Sequence, residues 1–282
     1  MLSAHDEYCL AQVRQGDRDR YLALLFAPAS ARSALAAVAA FNLELARAAS
    51  EITESMLGLV RLQWWREAVE EIRAGGAVRR HQVAEALAAA TRAHGLSTGR
   101  MLAMIASREE ELESEGPPTQ AVFDARADAT AANLIRLSLQ AVALDPEETG
   151  LSAASASVGR AYATVGCARS VLLDARRRRI RLPAEALAEA GVDRDQLLEL
   201  RPQPTLQACL RLLAERAESD LQAARQASIP RRARPLVLTG RLAALHLERL
   251  RRAAYDPFDP RVIATAPFDV WRLLGTTVTG RF

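Results

Sequence analysis

Lysine is absent from this sequence. All 37 basic residues are arginine, against 34 acidic ones, so the formal charge is only +3. A basic pI built this way is a weak argument for a nucleic-acid partner. Cysteine is scarce: Cys9, Cys167 and Cys209 lie far apart in no metal spacing, and an odd count without a framework suits a reducing compartment. The four histidines, His5, His81, His94 and His246, form no His-x-x-x-His pair, which argues against zinc. Aromatics make up 5% of the chain, and few interleave with the arginines. With no recognised nucleic-acid-binding fold, nucleic acid is not expected. There is no Gly-rich phosphate loop and no Gly-x-Ser-x-Gly, so nucleotide and hydrolase chemistry lack support. No uncharged apolar run reaches the ~18 residues of a membrane span. The first twenty residues show no signal-peptide pattern. The expectation is a soluble cytoplasmic protein, with peripheral contact at the inner membrane as its closest approach to lipid.

What is present is helix. Half the residues are apolar, enough for a large core. Helices are predicted over 29–50 after Pro28, over 55–73 up to the Gly75-Gly76 stop, and over 81–94, 97–114, 119–142 and 150–174. A short helix follows Pro183, then longer ones near 204–227 and 234–254, and a last amphipathic segment after "YDPFDP" (255–260). No β-alternation of useful length and no fixed-period repeat appear. One all-α domain over 1–282 is expected.

Several stretches together resemble a known family. "YLALLFAPASARSALAAVAAF" (21–41), "LVRLQWWREAVEEI" (59–72), "HQVAEAL" (81–87), "DARRRRIRLPAEALAEAG" (174–191) and "YDPFDPRV" are similar to segments of squalene and phytoene synthases. The resemblance implies an isoprenoid synthase fold, a helical bundle around a central cavity. In active members two aspartate-rich motifs face each other there and bind Mg²⁺, which holds the substrate diphosphate. The chemistry needs this, because ionising an allylic diphosphate leaves a highly charged anion that metal must neutralise. Mg²⁺ prefers carboxylate and phosphate oxygens, and carboxylates at i and i+4 share a helix face.

Set against that pattern, this sequence lacks the ligands. The first-motif aspartates fall on Ala46 and Ser50, with Arg47 where an adjacent carboxylate is often found. Glu44 and Glu51 remain but are displaced around the helix from those positions, and the line Ala39–Leu43–Ala46–Ser50 carries no charge. No aspartate lies between residues 20 and 123, so a small shift of alignment restores nothing. The second motif falls on Gly166, Arg169, Ser170, Leu173 and Asp174. Only Arg169 and Asp174 survive, and Asp174, surrounded by arginines, is expected to pair with one of them. No metal and no cofactor are expected.

Other features have two readings each. Arg61 or Arg66 would bind an anion if turned to the cavity; otherwise Trp64 and Trp65 are core and the arginines cover them or pair with Glu67 and Glu70, which is the reading taken here. Arg176–Arg179 with Arg181 would hold phosphate or a headgroup, or form a solvated loop near a helix end. His246 reads as a core or boundary histidine. The segment 262–282, with Phe268, Trp271 and Leu273, reads as a final packed helix ahead of a membrane-surface one.

The resemblance extends to a divergent branch without the aspartate motifs, which includes mitochondrial factors needed to assemble respiratory complex I. The leading expectation is a non-catalytic protein of that kind, with a respiratory-complex subunit as partner or an isoprenoid or lipid as ligand. The alternative is a prenyl transferase with an atypical Mg²⁺ site built from Glu44, Glu51, Glu54 and Asp174. A third is an isoprenoid carrier.

Overall fold

The computed structural model describes residues 3–50, 54–264 and 269–279, and among these there is no strand. The chain begins with two helices that sequence alone did not predict. α1 (Ala4–Gly16) starts on a capping box in which the Ser3 hydroxyl accepts from the Asp6 amide and the Asp6 carboxylate accepts from the Ser3 amide. α2 (Arg18–Leu25) is capped by Asp17. Both are polar and bury only two residues each, so their signal lies in the caps and not in apolar periodicity.

α3 (Ala29–Ser50) is the central helix of the first half. Alanines at 31, 34, 36, 37, 39, 40, 48 and 49 are buried along it, and their small side chains let α1, α4 (Ser55–Ala74), α5 (Gln82–His94) and α6 (Thr98–Glu113) approach closely. α9 (Thr149–Arg176) plays the same part in the second half, against α12 (Pro204–Gln226) and α13 (Arg234–Arg252). Between α9 and α12 lie the short α10 (Ala184–Glu189) and α11 (Arg194–Leu198).

The single helix predicted over 119–142 is in fact three pieces. α7 (Gln120–Ala127) and α8 (Asn133–Ala141) flank a π-helical turn, Asp128–Ala132. The turn lies against α9 at Gly159, where a β-carbon would stand 2.7 Å from the Ala132 backbone nitrogen. Only glycine permits that approach. α8 then joins the two apolar clusters, sending Leu134 and Leu137 into the α3 core and Ile135 and Leu139 into the α9 core. α14 (Asp269–Thr279) packs through fully buried Leu273 beside Leu22, Leu238 and Leu242, while Trp271 is 68% exposed. Phe268 and Glu51 lie outside the described residues. No helix among the described residues is long and apolar enough to cross a membrane.

Candidate functional site

A cavity of about 670 Å³ opens between α3, α6, α7, the π turn, α9 and the turn that follows α9. That is the size of a small-molecule site. Its walls are mixed: Leu43, Ala46, Leu112, Phe123 and Ala131 are apolar, and arginines enter from several elements. A smaller apolar recess shares Arg20, Ala131 and Tyr162 with it and continues toward Leu134, Ile135 and Leu238.

On the α3 wall, Ala46 faces the cavity with Leu43 and Asn42. Ser50 is half-buried one turn on. Glu44 points the other way: it is buried and takes the Arg61 guanidinium at 2.9 Å, with Arg47 at 3.5 Å. Arg47 also donates to Gln12 at 2.8 Å. The cavity face of α3 therefore presents no carboxylate among the described residues.

On the α9 wall, Gly166 and Ser170 face the cavity, as does Cys167, whose thiol burial pushes up to about 11 and keeps protonated. Asp174 is buried behind them. It accepts from Arg181 Nε at 2.9 Å and from the Ser170 hydroxyl at 2.7 Å. Arg181 also donates to the Ser170 oxygen at 2.9 Å and stands 3.6 Å from Glu111. A guanidinium thus occupies the centre of three oxygen-bearing groups. Burial alone would raise the Glu111 carboxyl, but Arg108 and Arg181 outweigh it and hold the carboxyl below its ordinary range.

The arginine run divides. Arg176 and Arg177 are exposed, as a solvated loop requires. Arg179 and Arg181 turn inward, contrary to that reading, because α9 ends at Arg176 and the chain reverses through Arg178 at φ +58°. Arg179 donates to the Ala49 carbonyl at the end of α3, where a cation suits the helix dipole. The tryptophan cluster also needs correction. Trp65 is buried and Trp64 half-buried, but Arg61 pairs with Glu44 and Arg66 with Glu109. Glu67 is taken by Arg79, which lies 5.0 Å over the Trp64 ring, and Glu70 has no part in it.

One polar cluster escaped prediction. His246 is core, yet its Nε2 lies 2.5 Å from Asp19, its Nδ1 2.9 Å from Arg249, and Arg169 stands 3.0 Å from the ring. In the neutral Nε2–H tautomer the ring donates to Asp19 and accepts from Arg249 at Nδ1, and the Arg169 contact at Nε2 is then not a hydrogen bond. Burial lowers the histidine, overcoming the pull of Asp19. Burial would raise the Asp19 carboxyl, but its bond to His246 and the charges of Arg169 and Arg20 hold it down to about 2. Arg169 therefore serves this cluster and not Asp174. The lone Asp19 on a polar helix gave no periodic signal by which to find it.

The resemblance implies Mg²⁺ in this cavity, and the residues present do not fit it. The first-motif positions offer a methyl and a hydroxyl. The surviving second-motif carboxylate already binds a guanidinium, and among the described residues no three of His, Cys, Asp and Glu come together as metal ligands. The class defined here is an all-α isoprenoid synthase fold with an arginine-lined cavity.

The chain belongs to the squalene/phytoene synthase family, whose family model matches residues 13–272. It is 29% identical over 261 residues to NADH dehydrogenase (ubiquinone) complex I, assembly factor 6 of Bos taurus, covering 92% of this chain and 77% of that one. The human protein of the same name is 28% identical over 258 residues, covering 90% and 76%. A crystal structure of a dehydrosqualene synthase in complex with ligand superposes with a TM-score of 0.83 at 19% identity, covering 98% and 96% of the two chains. It shares the fold.

Proposed function

We propose that this chain is a non-catalytic member of its family that acts in assembling respiratory complex I, working from the cytoplasmic face of the inner membrane on a subunit of that complex. Similarity to animal assembly factors along nine tenths of the chain carries the assembly role. The Arg181 guanidinium seated on Asp174 carries the non-catalytic one. The atypical Mg²⁺ site of the transferase alternative would draw on Glu44, Glu51, Glu54 and Asp174, and of these Glu44 and Asp174 are committed to arginine.

Two assays test the two halves. Deleting the gene in its native host should lower NADH–quinone oxidoreductase activity of the membranes, with restoration by the intact gene. Purified protein given Mg²⁺ and farnesyl or geranylgeranyl diphosphate should release no diphosphate. Unchanged membrane activity on deletion removes the assembly role. Release that is lost in Asp174→Ala restores the transferase.

A further inference from the structure

The two polar helices at the start of the chain carry a face that the core does not use. Cys9 and Val13 turn into the core from α1, and Leu22 does so from α2. On another side of α1, Glu7, Leu10, Ala11 and Arg14 recur at i, i+3, i+4 and i+7, and along α2 Tyr21, Leu24 and Leu25 recur at i, i+3 and i+4. Together with Arg32 of α3 these residues line an open surface groove of about 720 Å³. Leu25 is 49% exposed in it, and Leu10 and Tyr21 are half-buried. Among the described residues only α1, α2 and α3 contribute to its walls. Two stripes of helical spacing, side by side and uncovered, are what a helix presents to another helix.

The groove also carries uncompensated charge. Arg14 and Arg32 line it, and neither has a carboxylate at ion-pair distance among the described residues. Arg14 is exposed and lies 6.0 Å over the Tyr21 ring. Arg32 donates to the Ala27 carbonyl at 3.2 Å, while its Nε is buried without a hydrogen-bond partner. Neither the ring nor the carbonyl supplies a negative charge. Glu7, the one carboxylate lining the groove, stands seven residues before Arg14 on α1, about 10 Å along the helix axis. Two guanidinium groups against one distant carboxylate leave the groove with a net positive charge over its leucines.

We infer that this groove seats a helix of a partner protein, one that carries apolar side chains at i, i+3 and i+4 and a carboxylate beside them. The apolar side chains pack on Leu10, Tyr21 and Leu25, ridge into groove, and the carboxylate meets Arg14 or Arg32, whose guanidinium forks match its two oxygens. A protein helix suits the site better than a lipid surface. A flat bilayer does not fill a concave groove between two helices, and Glu7 on the rim opposes an anionic headgroup. That the partner is a subunit of complex I rests on the assembly role proposed above; the chemistry of the groove does not.

The full chain is made in its native host with photo-reactive benzoylphenylalanine in place of Leu25 and, as a control, in place of Leu212, which is 46% exposed on α12 and outside the groove. After irradiation the captured segment is sequenced by mass spectrometry, synthesised as a peptide and titrated against the purified chain. Leu25 should capture a protein segment with helical apolar spacing and an aspartate or glutamate within it. The peptide should bind the unaltered chain, and about tenfold more weakly Arg14→Glu and Arg32→Glu. Arg14 is exposed, so its variant should melt with the unaltered protein. A captured complex I subunit supports the assembly role as well. A captured protein outside that complex, with the same chemistry and charge dependence, supports the groove and counts against that role. No capture, the same adduct from Leu212, capture of lipid or of a second copy of this chain alone, or peptide binding indifferent to both charge reversals overturns the proposal.

Discussion

On α3 the two positions that carry aspartates in the family hold Ala46 and Ser50, and no charge has replaced them; on α9 the corresponding carboxylates are reduced to Asp174, and Arg181 has closed over it. The first wall has been emptied and the second has been filled. An emptied wall can be refilled by substitution at the same positions. A filled one cannot, because the incoming carboxylate would meet a guanidinium already bonded to Asp174 and Ser170. The contrast sets Arg181 and the turn after α9 apart, in a place where no reading of α3 alone would look.

The strongest way to break this comparison is to remove the guanidinium seated on the α9 wall and, as the contrast, the one that takes Glu44 on the far side of α3. Arg181→Met should destabilise the protein by about 3 kcal/mol, because it leaves buried Asp174 without its charged partner. Arg61→Met should lose at most about 1 kcal/mol, since that arginine is half exposed and Glu44 keeps Arg47. Urea unfolding of both variants is the check, and equal losses would erase the distinction between the two guanidiniums.

A second prediction concerns the cluster behind α9. In the native state both His246 and Asp19 bind protons less readily than in the unfolded chain. Their stabilisation is therefore complete above about pH 6.5, the unfolded histidine value, and declines as pH falls. The Asp19 share is present above about pH 4 and is lost toward about pH 2. Unfolding midpoints measured between roughly pH 7 and pH 5 should fall, and His246→Gln should flatten that slope. An unchanged slope would remove His246 from the account.

A smaller effect distinguishes the two serines. Ser170→Ala removes bonds to both Asp174 and Arg181 and should cost about 1 kcal/mol, whereas Ser50→Ala should fall within about 0.5 kcal/mol of zero. Thermal melts of the pair would show it. Smallest of all is the response to refilling α3: Ala46→Asp with Ser50→Asp should give no Mg²⁺-dependent rise in Tm, while adding Ser170→Asp and Arg181→Tyr should create one.

Much of the fold was legible because long helices repeat their apolar positions. The helices over 29–50, 55–74 and 204–226 matched their predicted spans to within a residue or so. The missing carboxylates were legible too, since an absent residue type needs no coordinates. What escaped was anything set by side-chain direction. Arg181 follows the end of α9 by five residues, and only the reversal at Arg178 turns it back on Asp174. Asp19 and His246 are 227 positions apart and meet only when α2 crosses α13. The π turn was hidden because nothing in its residues marks it off from the flanking helix, and its close approach to Gly159 of α9 is tertiary.

The central claim is that a guanidinium stands where the family places metal. Its most direct test is anomalous diffraction from crystals of the full chain soaked in Mn²⁺ and inorganic diphosphate. The account predicts no anomalous peak between Ala46 and Ser170, with Arg181 still bonded to Asp174. A manganese peak on Asp174, with Arg181 displaced, would contradict it.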